Sequence, residues 1–187
     1  MQFEKIINQS VLANRLTAVI DEGRISHAQL FLGNSSSGTL ALAIAYMQYV
    51  CCQNRQHYTP DADGHWHKAD GTAIALRADS CGTCPACRKI EALQHPDLHF
   101  IFPNIPTGDD SAKSASSENL LEQYRDFLIK YNQHGTLNQW FEEMRVENKQ
   151  GIIRERDADN IVRYVNLQAY EAPYKLVLIW HAEKMNL

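Results

Sequence analysis

No run of uncharged apolar residues in this sequence is long enough to span a bilayer. The longest apolar stretch, Leu40 to Cys52, is broken only by Gln48 and suits a buried helix. Met1 to Ser10 has no apolar signal core, which predicts a cytoplasmic chain with no membrane partner. There is no excess of positive charge: 18 Lys and Arg stand against 22 Asp and Glu, a formal net charge of −4. A domain that grips nucleic acid alone is usually basic, so any such contact here is local or shared with partners. Cysteine is scarce and odd in number, five in 187 residues, which argues against a disulfide framework. There is no internal repeat. What remains is 44% apolar and 21% charged, the composition of one ordinary globular core with a small appendage.

The periodicity predicts α/β organisation. Ser10 is placed to cap a helix over Val11 to Glu22, with Leu12, Leu16, Val19 and Ile20 on one face and Gly23 ending it. Ala28 to Leu32 is a short apolar run ending at Gly33 and reads as a buried strand. Leu40 to Val50 reads as a helix buried on most sides. Strand, glycine-bounded loop and helix is the opening unit of a parallel sheet. Gln53 to Ser80 is polar and reads as an excursion from the core, followed by a short helix from Arg88 to Leu93. Asp97 to Phe102 reads as a second strand and Tyr174 to Trp180 as a third. Between them, 104–150 reads as an insertion. It opens on the disorder-like stretch Thr107 to Ser117 and continues in a helix near Asn119 to Asn132. Asp157 is placed to cap another helix, with Ile161, Val162 and Val165 facing inward. Three strands make a thin sheet, so the sequence reads as a truncated domain with further strands encoded downstream.

A phosphate-binding loop reads Gly-x-x-x-x-Gly-Lys-Ser/Thr between a strand and a helix. The frame here is Gly33-Asn34-Ser35-Ser36-Ser37-Gly38-Thr39-Leu40. Both glycines are in place, but Thr39 stands where the phosphate-reaching lysine belongs and Leu40 where the magnesium hydroxyl belongs. A plain strand–turn–helix corner built from small residues remains open as an alternative. In ATPases of this kind a later strand ends in carboxylates that hold magnesium and position water. The matching run, Leu176 to Ile179, is followed by Trp180 and His181, and neither can replace a carboxylate. Loss of lysine, hydroxyl and both acids predicts a fold kept while hydrolysis was dropped. A lone His181 at a strand end is a structural or surface residue more often than a general base.

Cys81, Cys84 and Cys87 follow one another at two-residue gaps, with Gly82 and Pro85 allowing tight turns. A structural tetrahedral zinc needs four such thiolates. The fourth is Cys51 or Cys52, at the end of the preceding helix, and the helix exit favours Cys52. The excursion between them is no obstacle, because closure entropy grows only logarithmically with loop length. A redox Cys-x-x-Cys pair, an iron–sulfur cluster and a site that has lost its metal are the alternatives. His65 and His67 are further possible ligands but read as residues of a solvated loop.

Three blocks together resemble bacterial DNA polymerase III clamp-loader subunits. The first runs from Ile6-Ile7-Asn8-Gln9 through Gly23-Arg24-Ile25-Ser26-His27-Ala28-Gln29-Leu30-Phe31-Leu32-Gly33. The second is Cys52, Cys81, Cys84 and Cys87 with His95-Pro96-Asp97 after them. The third is Tyr174 to Ile179 with Ala182-Glu183-Lys184-Met185-Asn186. The resemblance implies a P-loop NTPase (AAA+)-like parallel sheet flanked by helices over 1–187, carrying a zinc-binding module at 51–93 and the insertion at 104–150. Within the family, gamma-type subunits keep the lysine and acids and hydrolyse ATP, whereas the delta-prime type keeps the zinc module and has a degenerate phosphate loop. Thr39, Leu40, Trp180 and His181 therefore point to the delta-prime type. The implied partners are gamma-type and delta-type subunits, and through the complex the sliding clamp and primed DNA. A hydrolysing gamma-type subunit and a stand-alone zinc module that binds nucleic acid are the rival readings. The 104–150 insertion has no recognised counterpart.

Overall fold

The computed structural model describes residues 1–34, 37–106, 115–145 and 151–185. Helix α1 is Ser10–Asp21. Gly23 ends it with φ +69, and the termination is a Schellman motif: Arg24 N–H donates to Val19 O at 2.9 Å and Gly23 N–H to Ile20 O at 3.0 Å. Ser10 is the first helical residue, with no side-chain cap at the preceding Gln9. The buried stripe is Ala13, Thr17 and Ile20, while Leu12 is exposed, so the helix is turned about one residue from the expected face. Helix α2, Thr39–Cys51, buries ten of its residues, as a nearly unbroken apolar run requires.

The expected strand at Ala28 to Leu32 does not form. Leu30 and Leu32 are exposed, and only Phe31 finds a ring neighbour, Tyr46, edge-on at 5.9 Å. An apolar run signals a tendency to be buried. A strand also needs an edge to pair with, and among the described residues this segment has none.

The polar excursion is built from two small antiparallel sheets. Strands β1 (Gln56–His57) and β5 (Ala78–Asp79) pair at its neck. Beyond the neck, β2 (Thr59–Pro60), β3 (Trp66–His67) and β4 (Ala73–Ile74) form a meander. The neck docks on α1 through Asp21, which pairs with Arg77 at 3.0 Å and Arg55 at 3.6 Å and accepts from Tyr49 Oη at 2.9 Å. Helix α3, Pro85–Glu91, starts three residues earlier than the sequence suggested, because Pro85 fits the first helical position, where no N–H is needed. These elements belong to the first of two compact units, Met1–His95.

The second unit, Pro96–Leu187, is built on strands β6 (Leu98–Ile101) and β7 (Leu176–Ile179), paired in parallel with Leu98 opposite Leu176 and Ile101 opposite Ile179. Both strands stand within the apolar runs that predicted them, and Pro96 and Pro103 flank the first. Residues 104–150 contribute helix α4 (Leu121–Lys130), preceded by a 3-10 turn at Ser117–Leu120, and helix α5 (Leu137–Glu143), which opens on a Thr136/Gln139 capping box. Their aromatic side chains pack with Phe102 and Trp180 in the core of this unit. Tyr124 stacks on Phe102 at 3.8 Å, Trp140 meets Phe102 edge-on at 5.4 Å, and Trp180 tilts against Tyr124 at 5.6 Å. Trp140 Nε1 donates to Pro103 O at 2.8 Å, satisfying its one polar atom.

Of the stretch expected to be disordered, 107–114 lies outside the described residues, and Ala115, Ser116 and Ser117 are buried. Helix α6, Glu155–Val165, begins two residues before Asp157. The buried Asp157 carboxylate reaches back to accept from Arg154 N at 3.2 Å, and also takes Ser117 N at 2.7 Å and Asn104 Nδ2 at 2.9 Å. This polar network, with buried Asn160, sets the inward face of α6. Val162 and Val165 are therefore 60% and 50% exposed, contrary to the apolar stripe expected there. Among the described residues, no helix is long and apolar enough to cross a membrane.

Candidate metal centre

Four cysteines converge in the first unit. Cys52 sits at the C-cap of α2 with extended backbone (φ −64, ψ 123), which turns the chain away as the helix exits. The β1–β5 pairing then sets Gln56 opposite Asp79, so the residues just before β1 and just after β5 leave the neck side by side. This brings Cys52 and Cys81 together across the excursion. Gly82, with φ +68, makes the knuckle that follows Cys81. Cys84 is the N-cap residue of α3, and Cys87 lies in its first turn.

The sulfurs of Cys52, Cys81, Cys84 and Cys87 all lie within 4.8 Å of one another. Cys52 Sγ to Cys81 Sγ is 3.6 Å and Cys81 Sγ to Cys87 Sγ is 3.9 Å. A disulfide needs about 2.05 Å between sulfurs, so these are thiols in contact. A tetrahedron with metal–sulfur arms of about 2.3 Å has edges of about 3.8 Å, and the two observed separations bracket that value. The arrangement can hold a metal ion. Cys51, the alternative fourth ligand, is buried and lies outside the cluster.

The backbone favours anionic sulfur. Cys81 N–H points at Cys52 Sγ and Cys84 N–H at Cys81 Sγ, each at 3.3 Å. A hydrogen bond from the Cys87 thiol, helped by the N–H groups of Cys81 and Asn54, lowers the Cys52 pKa against burial. The Cys87 thiol beside it is pushed up, first by that hydrogen bond to Cys52 and then by burial. Burial works against ionisation of Cys81, but the N–H groups of Thr83 and Cys84 outweigh it and lower its pKa. Thiolate is the form that binds metal.

His65 and His67 do not join the cysteines. They sit on the exposed meander, where His67 Nε2 lies 2.8 Å from Asp61 Oδ2. Asp61, Asp63 and His65 form a second, exposed group, in which Asp61 also accepts the backbone N–H of Asp63 and of His65 at the hairpin turn.

At the phosphate-loop frame, Ser35 and Ser36 lie outside the described residues. Asn34 O accepts Ser37 N–H at 3.1 Å and Ser37 Oγ at 2.8 Å. Gly38, with φ 68, caps α2, Thr39 begins the helix, and Leu40 is buried in the core. Gly33 packs tightly: a Cβ there would lie 2.1 Å from Ser37 Oγ. At the end of β7, Trp180 is buried among aromatic rings and its N–H continues the ladder to Ile101 O at 2.8 Å. His181 takes a left-handed conformation (φ 57, ψ 57), and its Nδ1 meets Glu183 Oε1 at 2.6 Å.

The family described as "DNA polymerase III, delta subunit" matches residues 72–187, more than half of the chain. The chain belongs to this family. A relative from Bacillus subtilis (strain 168), DNA polymerase III subunit delta', is 28% identical over 105 residues, which is 56% of this chain and 24% of the relative. The chain thus aligns with about a quarter of that delta' subunit's length. The family match takes in Cys81, Cys84, Cys87, both parallel strands, Trp180 and His181. Cys52 and the frame from Gly33 to Leu40 precede it, so their assignment rests on spacing and geometry alone.

Proposed function

We propose that this chain is a non-hydrolysing, delta-prime-type component of a replicative clamp loader, an AAA+-like domain working in the cytoplasm with gamma-type and delta-type subunits to place the sliding clamp on primed DNA. Its two units are parts of that one domain, with the cysteine module and the aromatic-cored insertion as its elaborations. The observation that carries the reading is the end of β7, inside the family match: on this reading the two acids belong there, and the residues present are Trp180 and His181. Buried Trp180 serves the aromatic core and His181 bonds Glu183, so neither side chain is available to magnesium or to an attacking water. Thr39 and Leu40 support the same conclusion from the opposite side of the reaction, since a buried leucine offers no metal ligand and a threonine no charge to the departing phosphate. An ATPase assay tests it. No turnover above background is expected, either from the chain as it stands or from Thr39→Lys. Turnover that Thr39→Lys alters would overturn the reading in favour of a hydrolysing subunit.

The cysteine cluster is read as a structural zinc site formed by Cys52, Cys81, Cys84 and Cys87. Bound zinc would supply a closed four-thiolate staple with no open position for water, hence rigidity and no catalysis. The sulfur separations and the N–H groups aimed at Cys52 and Cys81 support it. Metal analysis of protein purified without chelator is expected to give about one zinc per chain. Colourless protein with less than about a tenth of that and titratable thiols would overturn it, and a visible absorption band with bound iron would indicate a cluster instead.

A further inference from the structure

The four cysteines are surrounded by a second layer of bonds that comes from the first residues of the chain. Phe3 N–H and Glu4 N–H donate to Asp79 Oδ1 and Oδ2 at 3.1 and 2.9 Å. Asp79 is fully buried, also accepts Ser80 N–H at 2.7 Å, and lies two residues before Cys81. Gln2 Nε2 donates to Ser80 O at 2.8 Å. The same Gln2 amide lies against the Cys81–Cys84 knuckle, where a Cβ on Gly82 would come within 3.0 to 3.3 Å of it. Gln48, fully buried one turn before Cys52 on α2, donates to Ser80 Oγ at 2.9 Å and accepts from the Met1 amine at 2.7 Å. Lys5 pairs with Glu91 at 3.0 Å, at the end of the helix that carries Cys87. The first five residues therefore hold all three chain segments that deliver the sulfurs.

We propose that residues 2–4 are a latch that positions the ligand-bearing loop, so that docking of the N-terminal segment and metal binding are reciprocally coupled. The proposal rests on the reading of the cysteine cluster as a metal site. Four sulfurs on three separate segments converge only if those segments are already in register, and ordering them costs conformational freedom at the moment of binding. A buried carboxylate fixed by three backbone N–H groups restricts Asp79 and Ser80, and through them the direction in which Cys81 leaves β5. Outer partners of this kind typically change metal affinity 10–100-fold when removed. Coupling free energy is the same in both directions, so a metal that favours the docked latch must be favoured by it.

The test is zinc competition against a chromophoric chelator, using the full chain. Asp79→Ala is expected to bind zinc about 10–100-fold more weakly, and Gln2→Ala more weakly by a smaller factor. Gly23→Ala, which strains α1 in the same unit away from the latch, is expected to match the unsubstituted chain. In the reciprocal experiment, stripping zinc from the unsubstituted chain is expected to speed amide exchange at Phe3 and Glu4. If Asp79→Ala does not fold, Gln2→Ala and the exchange measurement decide alone. Unchanged zinc affinity in the folded variants, or Phe3 and Glu4 amides indifferent to zinc, would overturn the latch and leave the metal site standing. An unsubstituted chain that binds no zinc would overturn both.

Discussion

Asp97 and Tyr124 are both fully buried polar residues of the second unit, and their surroundings treat them oppositely. Asp97 accepts backbone N–H groups from Tyr170, Glu171 and Ala172 at 2.7 to 2.8 Å and pairs with Lys175 at 3.0 Å. Burial opposes its ionisation, but these partners outweigh burial and hold its pKa well below the usual 3.8. A carboxylate whose folded pKa is depressed stabilises the protein above its unfolded pKa, and that contribution disappears as pH falls through the folded value. The urea midpoint should therefore fall as the solution is acidified below about pH 4, with a shallower slope in Asp97→Asn. Asp97→Ala also leaves Lys175 without its carboxylate, and a loss of about 3–5 kcal/mol is expected by equilibrium unfolding. The hydroxyl of Tyr124, by contrast, has no hydrogen-bond partner among the described residues. Tyr124→Phe removes a buried donor that folding strips of water, so the variant should be equal in stability or more stable by about 1 kcal/mol in the same assay. Their different roles come from groups far along the chain, at Tyr170–Ala172 for one and in the aromatic cluster for the other.

At the scale of elements, sequence reading succeeded where a segment carries its own boundary chemistry. Pro96 and Pro103 bracket β6, and Gly23 closes α1. It failed where a neighbour decides. The apolar run Ala28–Leu32 and the valines of α6 had the right composition for burial, but the first found no edge and the second was turned outward by the Asp157 network. Two glycines separate local from tertiary demands. At Gly23 a Cβ would meet nothing within 4 Å, so Gly23→Ala faces only the strain of φ +69 and should cost about 1 kcal/mol. At Gly135 a Cβ would come within 2.3 to 2.9 Å of the Phe127 ring, itself buried against Trp140. Gly135→Ala must therefore displace a core aromatic, and about 2 kcal/mol is expected. Thermal unfolding of the two variants should rank them in that order.

At the scale of the whole molecule, the candidate site and the larger core differ in how much of them could be read in advance. Three of the four converging cysteines were legible because their spacing is local. Cys52 was favoured over Cys51 by its place at the helix exit, while the neck of two-residue strands that brings it to Cys81 leaves no periodic signal. The aromatic core of the second unit was not legible, because it gathers Phe102, Tyr124, Trp140 and Trp180 from separate elements. This contrast has a measurable consequence. The first unit has its sulfur cluster at the junction of α2, the neck and α3, so removing metal should loosen the chain from Gln53 to Leu93. The second unit has its own aromatic core and the β6–β7 ladder, neither of which includes a metal ligand. On adding a strong zinc chelator, amide exchange should thus rise through Gln53–Leu93 and stay unchanged at Leu98–Ile101 and Leu176–Ile179. Cys84→Ser, which removes the least buried ligand, should reproduce the chelated pattern without chelator, because a structural zinc with three thiolates no longer closes its tetrahedron. Equal protection of Gln53–Leu93 in all three samples would mean that the small sheets hold the cysteines together unaided.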